Sequence, residues 1–119
     1  MKIAVIGSRE GFSYEQVRKV IYNTFDKVND RLITGGARGI DTFAEQIINK
    51  DFHFYKSPQI IKPINPANKL DYLFRNVEII TQADKIIAFW DGKSRGTKFT
   101  MDYAKARNKE MIIYDKPKS

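Results

Sequence analysis

Three short stretches concentrate the residues able to do chemistry. Gly7-Ser8-Arg9, Gly35-Gly36-Ala37-Arg38-Gly39-Ile40-Asp41 and Asp91-Gly92-Lys93-Ser94-Arg95-Gly96-Thr97 each place glycine beside a cation or a hydroxyl. Glycine permits positive φ and lets another group come close to the backbone. Arginine offers paired N–H donors to phosphate oxygens, and serine and threonine add hydroxyls. Where such a turn opens a helix, the first N–H groups lack internal partners and carry the positive end of the helix dipole. The combination suits a phosphate. For one turn alone, the competing explanation is a tight strand-to-helix connection that needs glycine for geometry only.

Composition narrows the chemistry further. The chain has no cysteine, which removes disulfides and thiolate chemistry and makes a cytoplasmic home the simplest expectation. Its one histidine, His53 between Phe52 and Phe54, weighs against zinc and against a Ser-His-Asp triad, so no metal is expected. At 119 residues with 42% hydrophobic and 29% charged residues, the chain reads as one soluble globular domain over 1–115 with a polar tail at 116–119. No stretch reaches the ~20 apolar residues of a membrane span, and no membrane partner is expected. Met1-Lys2-Ile3-Ala4-Val5-Ile6-Gly7 reads as a first strand rather than a signal peptide. The net charge of +7 suits phosphorylated ligands or nucleic acid, although the basic residues are scattered.

The elements that must hold these loops alternate along the chain. Ile3-Ala4-Val5-Ile6 is a continuous apolar run, as in a strand buried on both faces. Ser13 with Gln16 forms a capping box for a helix bearing Tyr14, Val17, Val20, Ile21 and Phe25, closed at Asn29-Asp30. Arg31 to Thr34 is the second strand, and a helix follows to about Lys50. Phe52 to Tyr55 is ambiguous between strand and helix. Gln59 to Ile64 is the third strand, near a sheet edge because prolines flank it. Asn65-Pro66 reads as a helix start, with Leu70, Leu73, Phe74, Val77 and Ile80 as its apolar stripe and Arg75-Asn76 on the polar side. Lys85 to Trp90 is the fourth strand, Phe99, Tyr103 and Ala106 share a face of the helix after it, and Glu110 to Tyr114 is the fifth strand.

Alternating strands and helices predict an α/β fold with a parallel sheet and right-handed crossovers. The three glycine-bearing loops follow strands one, two and four, so all should emerge at the carboxyl edge. Ligands bind there at the switch in strand order, where loops 7–13 and 91–97 would frame a crevice with 34–41 beside it. The spacings match neither G-x-G-x-x-G nor a Walker loop, which disfavours a dehydrogenase or a P-loop ATPase.

Gly7-Ser8-Arg9, the glycine turn at 35–41, Arg75-Asn76, and Asp84 followed by Phe89 to Thr97 together resemble the SLOG superfamily, in particular its short YspA-like (DUF2493) branch. The resemblance runs from residue 3 to about 114. It implies a Rossmann-like, three-layer fold with strand order 3-2-1-4-5 and a site for a nucleotide or nucleotide-derived ligand. It also implies that Gly7, Ser8, Arg9, Gly35, Gly36, Asp41, Arg75, Asn76, Ser94, Gly96 and Thr97 line that site. Within it, backbone N–H groups at Gly36 and at Gly96-Thr97 suit phosphate oxygens. Arg9, Arg38, Arg75 and Arg95 suit bidentate phosphate contacts. Asp41 either caps its helix or meets a ribose, and Trp90 either packs or stacks on a base.

The superfamily also holds phosphoribohydrolases of the Lonely Guy type, whose P-G-G-x-G-T-x-x-E motif supplies a glutamate. Here Thr100 stands at that position and the proline-glycine-glycine opening is missing, which disfavours that activity. A different hydrolysis using Glu10, Asp41 or Asp91 stays open. The leading expectation is therefore a binder of a small phosphorylated, nucleotide-like ligand, with a sensor or accessory role. A hydrolase acting on a nucleotide N-glycosidic or phosphate linkage and a single-stranded nucleic-acid binder are the rivals. No cofactor beyond such a ligand is assigned, and a homodimer is admitted as the protein partner.

Overall fold

The computed structural model describes residues 1–36, 39–51 and 56–115. Five strands, β1 (Lys2–Gly7), β2 (Arg31–Thr34), β3 (Gln59–Ile60), β4 (Lys85–Trp90) and β5 (Glu110–Asp115), form one sheet in the order β3-β2-β1-β4-β5. Every pairing is parallel. Four α-helices connect them among the described residues: α1 (Tyr14–Thr24), α2 (Ile40–Gln46), α3 (Lys69–Gln82) and α4 (Arg95–Ala106). The alternating pattern predicts this parallel α/β sheet, and its Rossmann-like strand order is the one the SLOG resemblance implies.

Strand alternation divides the core into two layers. Ile3 and Val5 of β1 pack with Val17 and Ile21 of α1 and with Ile40 and Ala44 of α2. Ala4 and Ile6 face the other way, onto Ile79 and Ile80 of α3 and Met101 and Ala104 of α4. β1 and β4 carry only apolar residues at their fully buried centres. Burying each large aliphatic side chain stabilises the fold by roughly 1.5–3 kcal/mol, and this double-sided burial fixes the sheet edge from which the loops leave. No described helix is long and apolar enough to cross a membrane.

Several boundaries differ from the sequence expectations. Ser13 does form the capping box with Gln16, but α1 stops at Thr24 rather than at Asn29-Asp30. Asp26 takes the N–H groups of Val28 and Asn29 at 2.8 and 3.2 Å, which builds a turn where the helix would have continued. α2 ends in a π-helical turn over Ile47–Asp51. β3 is two residues long instead of six, consistent with its edge position and the proline at 63.

α3 starts at Lys69, not at Asn65-Pro66. The Asn65 side chain accepts the N–H of Ala67 in a local turn, and Asn68 is the N-cap through Leu70 N. Its buried face is also rotated from the expected stripe: Arg75, Ile79 and Ile80 are inside, whereas Leu70 and Phe74 are exposed. On α4 the buried residues are Thr97, Thr100, Met101 and Ala104, and Phe99 lies outside. The expectations for Phe52 to Tyr55, including His53, and for the tail 116–119 fall outside the described residues.

Candidate functional site

The strand order reverses between β1 and β4, because the chain leaves β1 toward β2 and later crosses back to β4. The loops after these two strands are tied directly to each other. Ser8 N–H donates to the Phe89 carbonyl at 2.9 Å, and the buried Ser8 Oγ accepts the N–H of Asp91 at 3.1 Å. Ser8 therefore fastens the rim of the crevice.

Asp91 organises the loop that follows β4. Its Oδ1 accepts the N–H groups of Lys93 and Ser94, both at 2.8 Å. Those bonds, Ser94 first, hold the carboxyl below its ordinary range against the opposing effect of partial burial. Ser94 is the N-cap of α4, accepting from Thr97 N, and its hydroxyl donates to Thr97 Oγ1 at 3.1 Å. The Trp90 indole N–H donates to the Ser94 carbonyl at 3.0 Å while the ring packs against the α3/α4 layer. Trp90 thus packs and braces the loop. At Gly96 an added Cβ would meet no heavy atom within 4 Å, so the first turn of α4 faces open space.

On the other side of the crevice, Arg75 reaches in from α3. Only 8% of it is exposed, its Nη1 donates to the Gly35 carbonyl at 2.7 Å and its Nε to Asn76 Oδ1 at 2.8 Å. The guanidinium also lies 5.3 Å from the Tyr72 ring centroid, a cation–π distance. A Cβ at Gly35 would overlap this guanidinium, so glycine is what allows Arg75 to approach this closely. Burial lowers the Arg75 pKa most, Asp41 and Tyr72 oppose that, and Arg9 adds to the lowering. Asp41 and Arg9 therefore both act on Arg75, and arginine keeps its charge in such surroundings.

Between these walls lies a cavity of about 570 Å³. Gly7, Arg9, Gly35, Asp41, Arg75 and Asn76 border it from the β1, β2, α2 and α3 side. Ser94, Gly96 and Thr97 border it from α4. The remaining sequence-derived residues stand elsewhere. Ser8 is buried behind the rim, Gly36 borders an adjoining cavity, Arg95 points to solvent, and Arg38 lies outside the described residues. Asp41 is not the cap of α2: that position belongs to Gly39, with φ 84°, and no side-chain cap bond is made there. Asp41 sits instead in the first turn, buried at the cavity wall.

Sequence reasoning missed Tyr72, which also lines the cavity, as does Glu10, named from sequence only as a candidate for hydrolysis. Tyr72 had a usable signal, since a residue three before Arg75 shares its helix face. Thr100 is in the wall, 1% exposed, with its hydroxyl donating to the Gly96 carbonyl at 2.9 Å.

Neither a protein-family model nor a curated protein matches the sequence. Among solved structures, the fold is similar to that of DNA processing protein A from Helicobacter pylori, with a TM-score of 0.73 and 20% identity. The match covers 100% of this chain and 66% of that one, so the chain spans about two thirds of that structure's length. The Helicobacter pylori protein was described for its single-stranded DNA binding mode. At this identity the likeness establishes the shared fold.

Proposed function

We propose that the carboxyl-edge cavity binds a nucleotide or nucleotide-derived phosphorylated ligand, and that the protein acts as a sensor or accessory factor for it. One observation carries the reading: a buried arginine held by Gly35 and Asn76 faces, across a cavity of about 570 Å³, the unobstructed first turn of α4 at Gly96. A cation and the N–H groups of a helix start bordering one cavity are what a phosphate needs. The SLOG-like order of motifs, ending in Ser94-Arg95-Gly96-Thr97, supports the same ligand class.

The test is calorimetry with a panel of nucleoside mono-, di- and triphosphates against the parent and Gly96→Val. Gly96 borders the cavity, and a Cβ there would meet no heavy atom within 4 Å, so the new side chain is accommodated without a clash. Affinity should fall by about tenfold or more, ~1.4 kcal/mol, while the melting temperature stays close to that of the parent. A folded variant that binds as tightly as the parent would refute the reading.

Turnover is not part of the proposal. Cleaving an N-glycosidic bond builds positive charge on the sugar, which a carboxylate would stabilise. At the position of interest on α4 stands Thr100, whose hydroxyl is already bonded to the Gly96 carbonyl. Incubation with AMP should therefore release no adenine at an enzymatic rate, roughly 1 per second or faster, by chromatography. Such release would promote the hydrolase reading.

The fold likeness to a protein described as binding single-stranded DNA favours a second reading, an oligonucleotide held at the same edge. Oligonucleotide affinity that falls steeply with salt would support it. A homodimer belongs to the proposal as well. Sedimentation velocity tests it: a single species at the monomer mass would remove the dimer.

A further inference from the structure

A second cavity, of about 420 Å³, adjoins the first. The two share Arg9, Gly35, Tyr72 and Arg75, so these residues form the waist of one continuous groove. Each lobe alone falls within the usual span of small-ligand pockets, ~300–1,000 Å³. A mononucleotide seated against α4 would leave the second lobe unused.

The lobes differ in chemistry. The first offers the α4 turn and the Asp41 carboxylate. The second is bordered by Lys62, Pro63, Ile64 and Pro66. Ile64 is 97% exposed, an extreme value for an isoleucine bordering a cavity. Flat proline faces, an uncovered aliphatic side chain and the Tyr72 ring suit a planar, weakly polar group such as a nucleobase. Lys62 adds a cation at its edge.

The waist suits an anion. Arg75 spends Nε on Asn76 and Nη1 on Gly35, and its Nη2 donates to no described residue. Arg9 and Arg75 both border the two lobes, whereas Asp41, which also acts on Arg75, borders only the first. A cation pair set between two lobes is placed for a group that links them.

We infer that the ligand of this site has two nucleoside-sized parts joined through phosphate, the linkage lying at Arg9 and Arg75 and the second base in the Lys62–Pro66 lobe. The inference rests on the nucleotide reading above and deepens it. It adds a ligand length and a second subsite.

Calorimetry at fixed ionic strength would compare AMP with two probes. The 5′-phosphorylated diadenylate pApA has a phosphodiester bridge, and diadenosine diphosphate has a diphosphate bridge. At least one probe should bind tenfold or more tightly than AMP, and the winner identifies the linkage. Lys62→Glu and Ile64→Asp, both at exposed positions, should each shrink the ratio of that probe's affinity to AMP's toward one. The inference is overturned if AMP binds and neither probe gains, or if the gain survives both substitutions. No binding by AMP or by either probe would remove the nucleotide reading itself, which is a different result.

Discussion

At the amino edge of the sheet, the N-terminal ammonium meets Asp30 at 3.1 Å and the Lys2 N–H donates to Asp84 at 2.7 Å. Arg31 Nε donates to the Ser57 carbonyl at 2.8 Å, Lys85 lies 3.9 Å from Glu110, and Lys109 reaches the Ala83 carbonyl at 2.8 Å. At the carboxyl edge, Arg9 and Arg75 instead border the larger cavity together with the first turn of α4. The amino edge has a cavity of its own, about 430 Å³ and lined by Lys2, Arg31 and Lys56 among others. Basic residues and a hollow are thus common to both ends. What separates them is the buried, pre-aimed Arg75 and the helix start that only the carboxyl edge supplies. The basic excess of the chain therefore does not single out the candidate site; placement at the switch point does.

The strongest way to break this contrast is Arg75→Leu. Hydrogen bonds to charged groups contribute ~1.5–3 kcal/mol each, so AMP affinity should fall by about 10- to 150-fold. The Gly35 carbonyl would also lose its donor, and a lower midpoint in thermal unfolding would record that. Retained affinity would place the ligand elsewhere.

Gly35→Ala perturbs the same contact indirectly. The methyl group would push on a buried guanidinium, an overpacking that typically costs ~1–3 kcal/mol. Stability should fall by about that much in denaturant titration, and AMP affinity should fall with it. A variant as stable as the parent would mean that Arg75 is free to move aside.

A smaller effect should follow from Asp91→Ala, which removes the acceptor for Lys93 and Ser94. The expected loss is ~1 kcal/mol of stability. Because the folded state holds this carboxyl below its ordinary range, the stabilisation is complete above the unfolded value. It is lost as pH falls through the lower, folded one. Parent and variant should therefore differ at pH 7 and begin to converge only as pH falls below about 4. The smallest effect belongs to the amino edge: Lys56→Ala should change AMP affinity by less than about twofold, since an exposed charge there acts only through a screened field.

The same contrast explains what was legible in the sequence. Strand positions and the edge carrying the glycine loops followed from apolar runs and turn residues, because buried parallel strands have a distinct composition; the strand order came only from the SLOG resemblance. The N-cap at Ser13 was legible for a similar reason, being a local signal. Arg75 was misread as part of a polar helix face, because its burial depends on a carbonyl forty residues away in sequence. Leu70 and Phe74 were taken as core on periodicity, yet α3 turns its arginine face inward to meet Gly35. The Asn65-Pro66 start failed because the competing cap at Asn68 is chemically equivalent until the turn is built. Long-range polar contacts, unlike apolar burial, leave no periodic trace.

Amide chemical-shift mapping during an AMP titration compares the two edges within one sample. Each edge supplies backbone amide reporters, and all sense the same bulk salt. The account predicts that the largest perturbations fall at Gly35, Asn76, Gly96 and Thr97, with Lys2, Arg31, Lys56 and Asp84 unmoved. Perturbations centred on the amino-edge residues, or none at either edge, would contradict it.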